Sequence, residues 1–189
     1  MELRLLRKTF YFMRHGQTDW NYHKRIQGQT DILLNDHGRK QATDAQKHIG
    51  LSCNIKKIFY SPMQRVQETM ALASGHLDIP KIDVHDLKEW HMGTLEGTTP
   101  EERLLLGELY FDNPPMGETK IDFFERTLRG INFALSHEDE PILIVGHSGT
   151  FRALCHYTNN EFEHIENCEV VLFSPATFDA GWDIKRISL

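Results

Sequence analysis

Pro141-Ile142-Leu143-Ile144-Val145-Gly146-His147-Ser148-Gly149 is a continuous aliphatic run that stops at a glycine and turns polar within two residues. Consecutive rather than alternating apolar side chains fit a strand covered on both faces, as in the middle of a parallel sheet. Working outward, Thr9-Phe10-Tyr11-Phe12-Met13 is a second such run, ending at Arg14-His15-Gly16. Residues 55–60 and 82–87 read as further strands, and residues 170–173 and 182–187 as late ones. Between them the period changes to that of a helix. Residues 38–49 carry Ala42, Ala45 and Ile49 at helical spacing and run to Gly50. Residues 62–74 follow Ser61 as N-cap, with Pro62 at the first helical position and Gln64 completing a capping box. Residues 101–111 read as helix, broken by Asn113-Pro114-Pro115-Met116-Gly117. Residues 119–135 place Ile121, Phe124, Leu128, Ile131 and Leu135 on one stripe, with Thr119 and Asp122 capping the start. A last helix covers residues 150–157. Strands alternating with helices predict an α/β fold, a three-layer sandwich with a mostly parallel central sheet flanked by helices. No repeat or linker divides the chain, so residues 1–189 are expected to form one domain with a short insert at about 98–117.

Composition narrows the partners. Lys plus Arg number 21 against 27 Asp plus Glu, a net charge of −6. Nucleic acid and membrane surfaces are therefore not expected partners, and any anion site must be a local concentration of positive charge. No stretch reaches the length of a membrane span, and Arg4, Arg7 and Lys8 interrupt the apolar N-terminus where a signal peptide would need its core. Cys53, Cys155 and Cys168 are scattered and odd in number, which suits reduced thiols in a cytoplasmic protein better than disulfides or a zinc site. Oligomeric state cannot be read.

The chemistry gathers where strands end. In an open α/β sheet, ligands bind beyond the carboxyl ends of the strands, so His15 and His147 are brought together by topology despite their separation in sequence. The helix that Ser148 begins aims free N–H groups at the same place, which favours an anion. Tyr60-Ser61-Pro62-Met63-Gln64-Arg65 brings a guanidinium from a third strand end, and Leu87-Lys88-Glu89 a carboxylate from a fourth segment. Arg14 and Arg65 can neutralise a phosphate ester and grip its oxygens bidentately. A protonated His147 would stabilise charge on the phosphoryl oxygens. His15 is the candidate nucleophile, since imidazole is substantially unprotonated at neutral pH. Glu89 would protonate the leaving oxygen and then activate water. The set calls for no metal and no cofactor; its partner is a small phosphorylated substrate.

Phe10 to Asn21, with Arg14-His15-Gly16-x-Thr18-x-x-Asn21, resembles the signature of the histidine phosphatase superfamily, which includes cofactor-dependent phosphoglycerate mutases. The resemblance continues through Gln27-Gly28, residues 34–42, Ser61-Pro62-x-x-Arg65, Leu87-x-Glu89-x-x-x-Gly93-x-Leu95-Glu96-Gly97, Gly117-Glu118-Thr119 and Gly146-His147-Ser148-Gly149-Thr150. It implies a phosphoglycerate mutase-like fold and a metal-free, histidine acid phosphatase-type reaction. His15 would be the phosphorylated residue and Glu89 the proton donor and acceptor. Arg14, Arg65 and His147 would complete the phosphate pocket, with Asn21, Gln27 and Gly28 beside it. Met116 stands where many members carry glycine, which removes backbone freedom there.

Three alternatives remain. A mutase must shield its phosphoenzyme from water, usually with a longer insert than residues 98–117, so a phosphatase is the favoured reading. A serine hydrolase would use Ser148 in a G-x-S-x-G-like turn, but Thr150 replaces the last glycine and Arg14-His15-Gly16 would have no task. An inactive binding module of the same fold would not need the complete His, Arg and Glu set. Leu104, Leu105 and Leu106 in the insert are expected to pack inward. His23-Lys24-Arg25 reads most simply as a solvated loop, its other reading being contact with an anionic substrate, and His164 has no assigned role.

Overall fold

In the computed structural model, residues 4–51, 53–105, 109–136, 141–177 and 181–187 are described. Leu106 and the side chains of Leu109 and Tyr110, part of the expected insert helix, lie outside them. The order is β1 (Phe10–Arg14), α1 (Asp19–Tyr22), α2 (Asp36–Leu51), β2 (Lys57–Tyr60), α3 (Gln64–Ser74), β3 (Lys81–Asp83), α4 (Pro100–Leu104), α5 (Leu109–Asp112), α6 (Lys120–Ser136), β4 (Ile142–Gly146), α7 (Ser148–Tyr157), β5 (Val170–Pro175) and β6 (Trp182–Ile187). The strands form one sheet in the order β3-β2-β4-β1-β5-β6. β1, β2, β3 and β4 run parallel, and β5 is antiparallel to both β1 and β6.

Side-chain alternation along the central strands builds two cores. Phe10 and Phe12 of β1, Ile142 and Ile144 of β4 and Phe173 of β5 face Leu128, Ile131 and Leu135 of α6 and Phe151 and Leu154 of α7. Met13, Leu143, Val145 and Ile58 face the other way, against Ala42, Ala45 and Ile49 of α2 and Val66 and Ala73 of α3. The continuous apolar runs are thus explained: both faces of β1 and β4 are covered. This is the expected three-layer α/β sandwich.

Register places the chemistry. β1 and β4 pair with Arg14 opposite Gly146, so His15 and His147 leave the sheet side by side, and the His15 N–H donates to Gly146 O at 3.0 Å. β2 lies on the other side of β4 with Tyr60 opposite Val145. The Ser61 N–H donates to Val145 O at 3.1 Å, which sets Ser61 next to His147.

Local expectations fail in four places. Ser61 is not a helix cap: α3 begins at Gln64, Met63 is its N-cap with no side-chain bond, and Asp31 Oδ2 accepts from the Gln64 N–H at 2.7 Å. A carboxylate distant in sequence has taken the capping role. The third strand is only Lys81–Asp83, because it pairs with β2 alone at the sheet edge. Residues His85–Leu87 then form a 3-10 turn, from which the chain reaches Glu89. Ile121 is exposed, and the buried stripe of α6 is carried by Phe123, Phe124, Thr127, Leu128 and Ile131 instead. Leu104 and Leu105 do not pack inward; they are 86% and 87% exposed.

Candidate active site

Beyond the carboxyl edge of β1 and β4 lies a cavity of about 560 Å³, lined by Arg14, His15, Asn21, Gln27, Gly28, Glu89 and Ser148 among others. The His15 and His147 rings are 5.3 Å apart between centroids and inclined at 63°. His15 is buried, and its Nδ1 lies 2.7 Å from Gly16 O. A carbonyl can only accept, so Nδ1 carries the proton and Nε2 keeps its lone pair. The Gly16 N–H donates to Thr69 Oγ1 at 2.9 Å, and Asn167 Nδ2 donates to His15 O at 2.8 Å. The nucleophile candidate is therefore fixed through both its ring and its backbone.

His147 is fixed in the opposite tautomer. Arg65 Nη2, a donor only, lies 3.4 Å from His147 Nδ1, and His147 Nε2 lies 2.8 Å from Ser61 Oγ. Nδ1 accepts, and the Nε2–H donates to the serine hydroxyl. Burial, and next the positive charges of Arg65 and Arg14, hold the His15 pKa well below its usual value; burial, Arg65, His15 and Arg14 do the same for His147. Without a bound anion, the charged form of the His147 imidazole is therefore disfavoured.

The two arginines differ in how far they are already engaged. Arg65 donates through Nη1 to Thr30 O and Asp31 Oδ1, and through Nη2 to Gly28 O at 2.8 Å. Glu96 holds that loop by accepting from the Gln29 and Thr30 N–H groups. Gly28, at φ +54°, is the residue whose Cβ would lie 2.2 Å from Glu96 Oε1, so glycine is required there. Arg14 donates through Nη1 to Ile165 O at 2.7 Å and borders the cavity. Each guanidinium keeps a buried Nε–H with no partner among the described residues, and such unpaired buried donors are costly. Burial disfavours the charge on both, and Glu89 partly offsets this.

Glu89 is held at the amino end of α7. Its Oε2 accepts from the Gly149 N–H at 3.3 Å and its Oε1 from the Trp90 N–H at 2.9 Å. A Cβ at position 149 would meet Glu89 Oε1 at 2.1 Å, so glycine here is what admits the carboxylate. Asn21 Oδ1 accepts from the Thr18 N–H at 3.1 Å, and Thr18 Oγ1 is 3.1 Å from Gln27 Nε2, so Asn21 and Gln27 form a bonded wall. Ser148 opens α7 and borders the cavity, but among the described residues its hydroxyl has no imidazole partner. His147 spends its Nε2–H on Ser61, which leaves the serine-nucleophile alternative without a base.

Several residues with a part in this arrangement escaped the sequence reading. Ser61 was assigned to a helix cap, and Asn167 belongs to no motif. Arg126 holds Glu118 bidentately at 2.8 and 2.7 Å and donates to the carbonyls of Asp86, Lys88 and Glu89. Lys24, Arg25, Arg103, Arg152 and His164 all border the cavity. Of the His23-Lys24-Arg25 stretch, Lys24 and Arg25 thus stand where contact with an anionic substrate would need them, and His164 stands at the site.

A mostly parallel sheet covered on both sides, with paired imidazoles, two buried guanidiniums and a carboxylate beyond its carboxyl edge, defines a phosphoglycerate mutase-like α/β protein. The chain belongs to the histidine phosphatase superfamily (branch 1), which it matches over residues 10–187. It is 34% identical over 145 residues to the uncharacterized phosphatase PhoE of Bacillus subtilis, covering 75% of this chain and 72% of that protein. It is 30% identical over 156 residues to phosphoglycerate mutase-like protein 4 of Arabidopsis thaliana, covering 75% and 67%. Among solved structures it is similar to Bacillus stearothermophilus YhfR, with a TM-score of 0.81, 25% identity and 95% and 96% of the two chains covered. Among the described residues no helix is long and apolar enough to cross a membrane, and no group of His, Cys, Asp and Glu is placed to hold a metal ion.

Proposed function

We propose that this chain is a phosphomonoesterase that hydrolyses a small phosphate ester through a phosphohistidine on His15, with Glu89 as general acid and base and no metal ion. The carrying observation is the His15 ring: Nδ1 is committed to Gly16 O, and Nε2 is left with its lone pair in a cavity bounded by Arg14 and Glu89. Nε2 attacks phosphorus, the ester P–O bond breaks, and the leaving oxygen takes the proton of the Glu89 carboxyl group. The Glu89 carboxylate then removes a proton from water. The resulting oxygen attacks phosphorus, and the P–N bond breaks to return the electron pair to Nε2.

Arg14 and Arg65 balance the charge of the dianion, and each keeps a buried Nε–H with no partner among the described residues. A bound dianion beside His147 favours its charged form; a proton taken up at Nδ1 displaces the contact with Arg65 Nη2 and leaves an N–H that donates a hydrogen bond to a phosphoryl oxygen. Asn21, Gln27, Gly28 and Ser148 bound the phosphate pocket. Hydrolysis rather than transfer is favoured because the insert is short and its Leu104 and Leu105 are exposed rather than packed over the cavity.

With EDTA present, an aryl phosphate should be hydrolysed by the native chain and not by His15→Ala. Quenching mid-turnover should trap label that survives alkali and is lost in acid, as a phosphoramidate requires. Near-native activity of His15→Ala would overturn the reading.

A further inference from the structure

We infer that the open edge of β6 is a self-association surface, on which a second copy of this chain pairs antiparallel about a two-fold axis at Ile184, so that one sheet runs through both copies. The inference stands apart from the phosphatase reading. β6 ends the sheet, and among the described residues it pairs with β5 and with no other strand. β3, at the opposite edge, has three residues, whereas β6 has six. An edge of that length presents a row of N–H and C=O groups that another chain can complete. The Ala176 N–H donates to Gly181 O at 3.0 Å, and in an antiparallel ladder such pairs recur at every second residue. Residues 181, 183, 185 and 187 therefore turn their backbone groups to β5. Trp182, Ile184 and Arg186 turn theirs to the open edge.

Charge selects both the occupant and the register. Edges are commonly blunted by lysine, but β6 carries opposite charges, Asp183 and Lys185, two residues apart and both exposed. Among the described residues neither makes an ion pair, while Arg186 is spent on Glu163 and Glu169. A two-fold axis matches the outward backbone groups of two copies only if it passes through a residue rather than between two. Of the central positions, Asp183 and Lys185 would each set like charges face to face, which destabilises. An axis at Ile184 sets Asp183 opposite the partner's Lys185, and Lys185 opposite the partner's Asp183. Both contacts fall at non-hydrogen-bonded positions, where facing Cα atoms are about 4.5 Å apart and side chains lie closest. The same register joins the outward groups of Trp182 to those of the partner's Arg186, and those of Ile184 to the partner's Ile184. One strand thus supplies both signs, so the surface complements itself, as an isologous dimer requires. Trp182 and Ile184 are half-buried on the face that packs against α6 and α7, beside a cavity of about 760 Å³ that Phe151 and Cys155 also border. Pairing brings the two Ile184 side chains together there, so apolar surface is covered as the ladder closes.

Sedimentation equilibrium of the native chain at about 100 μM, in about 0.15 M salt so that distant surface charges are screened, should give twice the mass of one chain. Asp183→Lys and Lys185→Asp should each raise the dimer dissociation constant by about tenfold or more, because like charges then face each other. An equimolar mixture of these two variants should recover the native constant, since each supplies the sign that the other lacks. A chain carrying both substitutions should recover it as well. A native monomer, a dimer indifferent to the single variants, or folded variants that the mixture does not rescue would overturn the inference. Amide exchange reads the same edge in the native chain, and decides alone if a variant does not fold. Residues 182–186 should exchange several-fold more slowly at about 100 μM than after dilution to about 1 μM, and equal rates would overturn the inference.

Discussion

At the residue scale, the two imidazoles differ from the other described histidines in being buried beside arginine. Burial and the neighbouring guanidiniums keep both neutral in the fold, whereas in the unfolded chain each titrates near its ordinary value of about 6.5. Below that pH the unfolded chain takes up protons that the folded chain refuses. The stability present above pH ~6.5 is therefore lost as pH falls, by up to about 1.4 kcal/mol per pH unit for each such histidine. Urea unfolding at pH 7.5 and 5.5 should show a smaller acid loss for His15→Asn than for the native chain, since the asparagine amide can still donate to Gly16 O. Equal losses would mean that His15 takes up its proton as readily in the fold as in the unfolded chain. Arg14, His15 and His147 were legible in sequence because each stands at or just after a strand end, and Arg65 and Glu89 because they fall in the Ser61-Pro62-x-x-Arg65 and Leu87-x-Glu89 motifs although a helix start and a 3-10 turn separate them from their strands. Asn167 was not legible, because its bond to His15 O spans 152 positions. Ser61 was misread because local capping rules cannot see Asp31 arriving from another loop to take the Gln64 N–H.

At the scale of elements, α6 does more than cover the sheet. Its Arg126 guanidinium forks onto Glu118, caps the carbonyls of Asp86, Lys88 and Glu89, and lies 5.3 Å from the Phe123 ring centre. Trp90 stacks on Phe123 at 5.2 Å and donates its Nε1–H to Glu118 O. The helix thereby fixes the segment that carries Glu89, and Arg126 is a positioning residue. Lysine cannot reproduce the fork, so Arg126→Lys should let Glu89 drift, and displacements near 1 Å cost about a hundredfold in rate. The loss should fall on alkyl phosphates, which need a proton donor, and spare p-nitrophenyl phosphate, whose leaving group does not. Equal losses on both would reduce Arg126 to a purely structural part. Met116 marks a different local conflict. It occupies φ +57° while 84% exposed, so the chain adopts there the turn that glycine would allow even though methionine must strain to follow it.

At the scale of the whole molecule, class and layering were readable because two-sided burial leaves continuous apolar strands, whereas strand order was not. β1 lies between β4 and β5, and β2 between β3 and β4; the strands are too alike in composition for sequence to choose their neighbours. Yet that order creates the site, since only adjacency of β1 and β4 in this register sets residues 15 and 147 side by side. The gathering of cations around the cavity was hidden for the same reason: Lys24 and Arg25, Arg103, and Arg152 come from three separate segments and meet only in the fold. Among the described residues the assembled site keeps two buried donors without partners, and burial and nearby arginines disfavour charge on both imidazoles, an arrangement that an anion relieves. Binding to the folded state alone stabilises by about 2.7 kcal/mol at a hundredfold excess over Kd. For a chain of this size that corresponds to a rise in Tm of roughly 5–10 °C. Orthovanadate or inorganic phosphate at that excess should produce such a shift in the native chain, read by calorimetry in EDTA. Arg14→Ala should abolish it at the same concentration. A native chain whose Tm ignores both anions would show that the cavity does not bind a tetrahedral oxyanion.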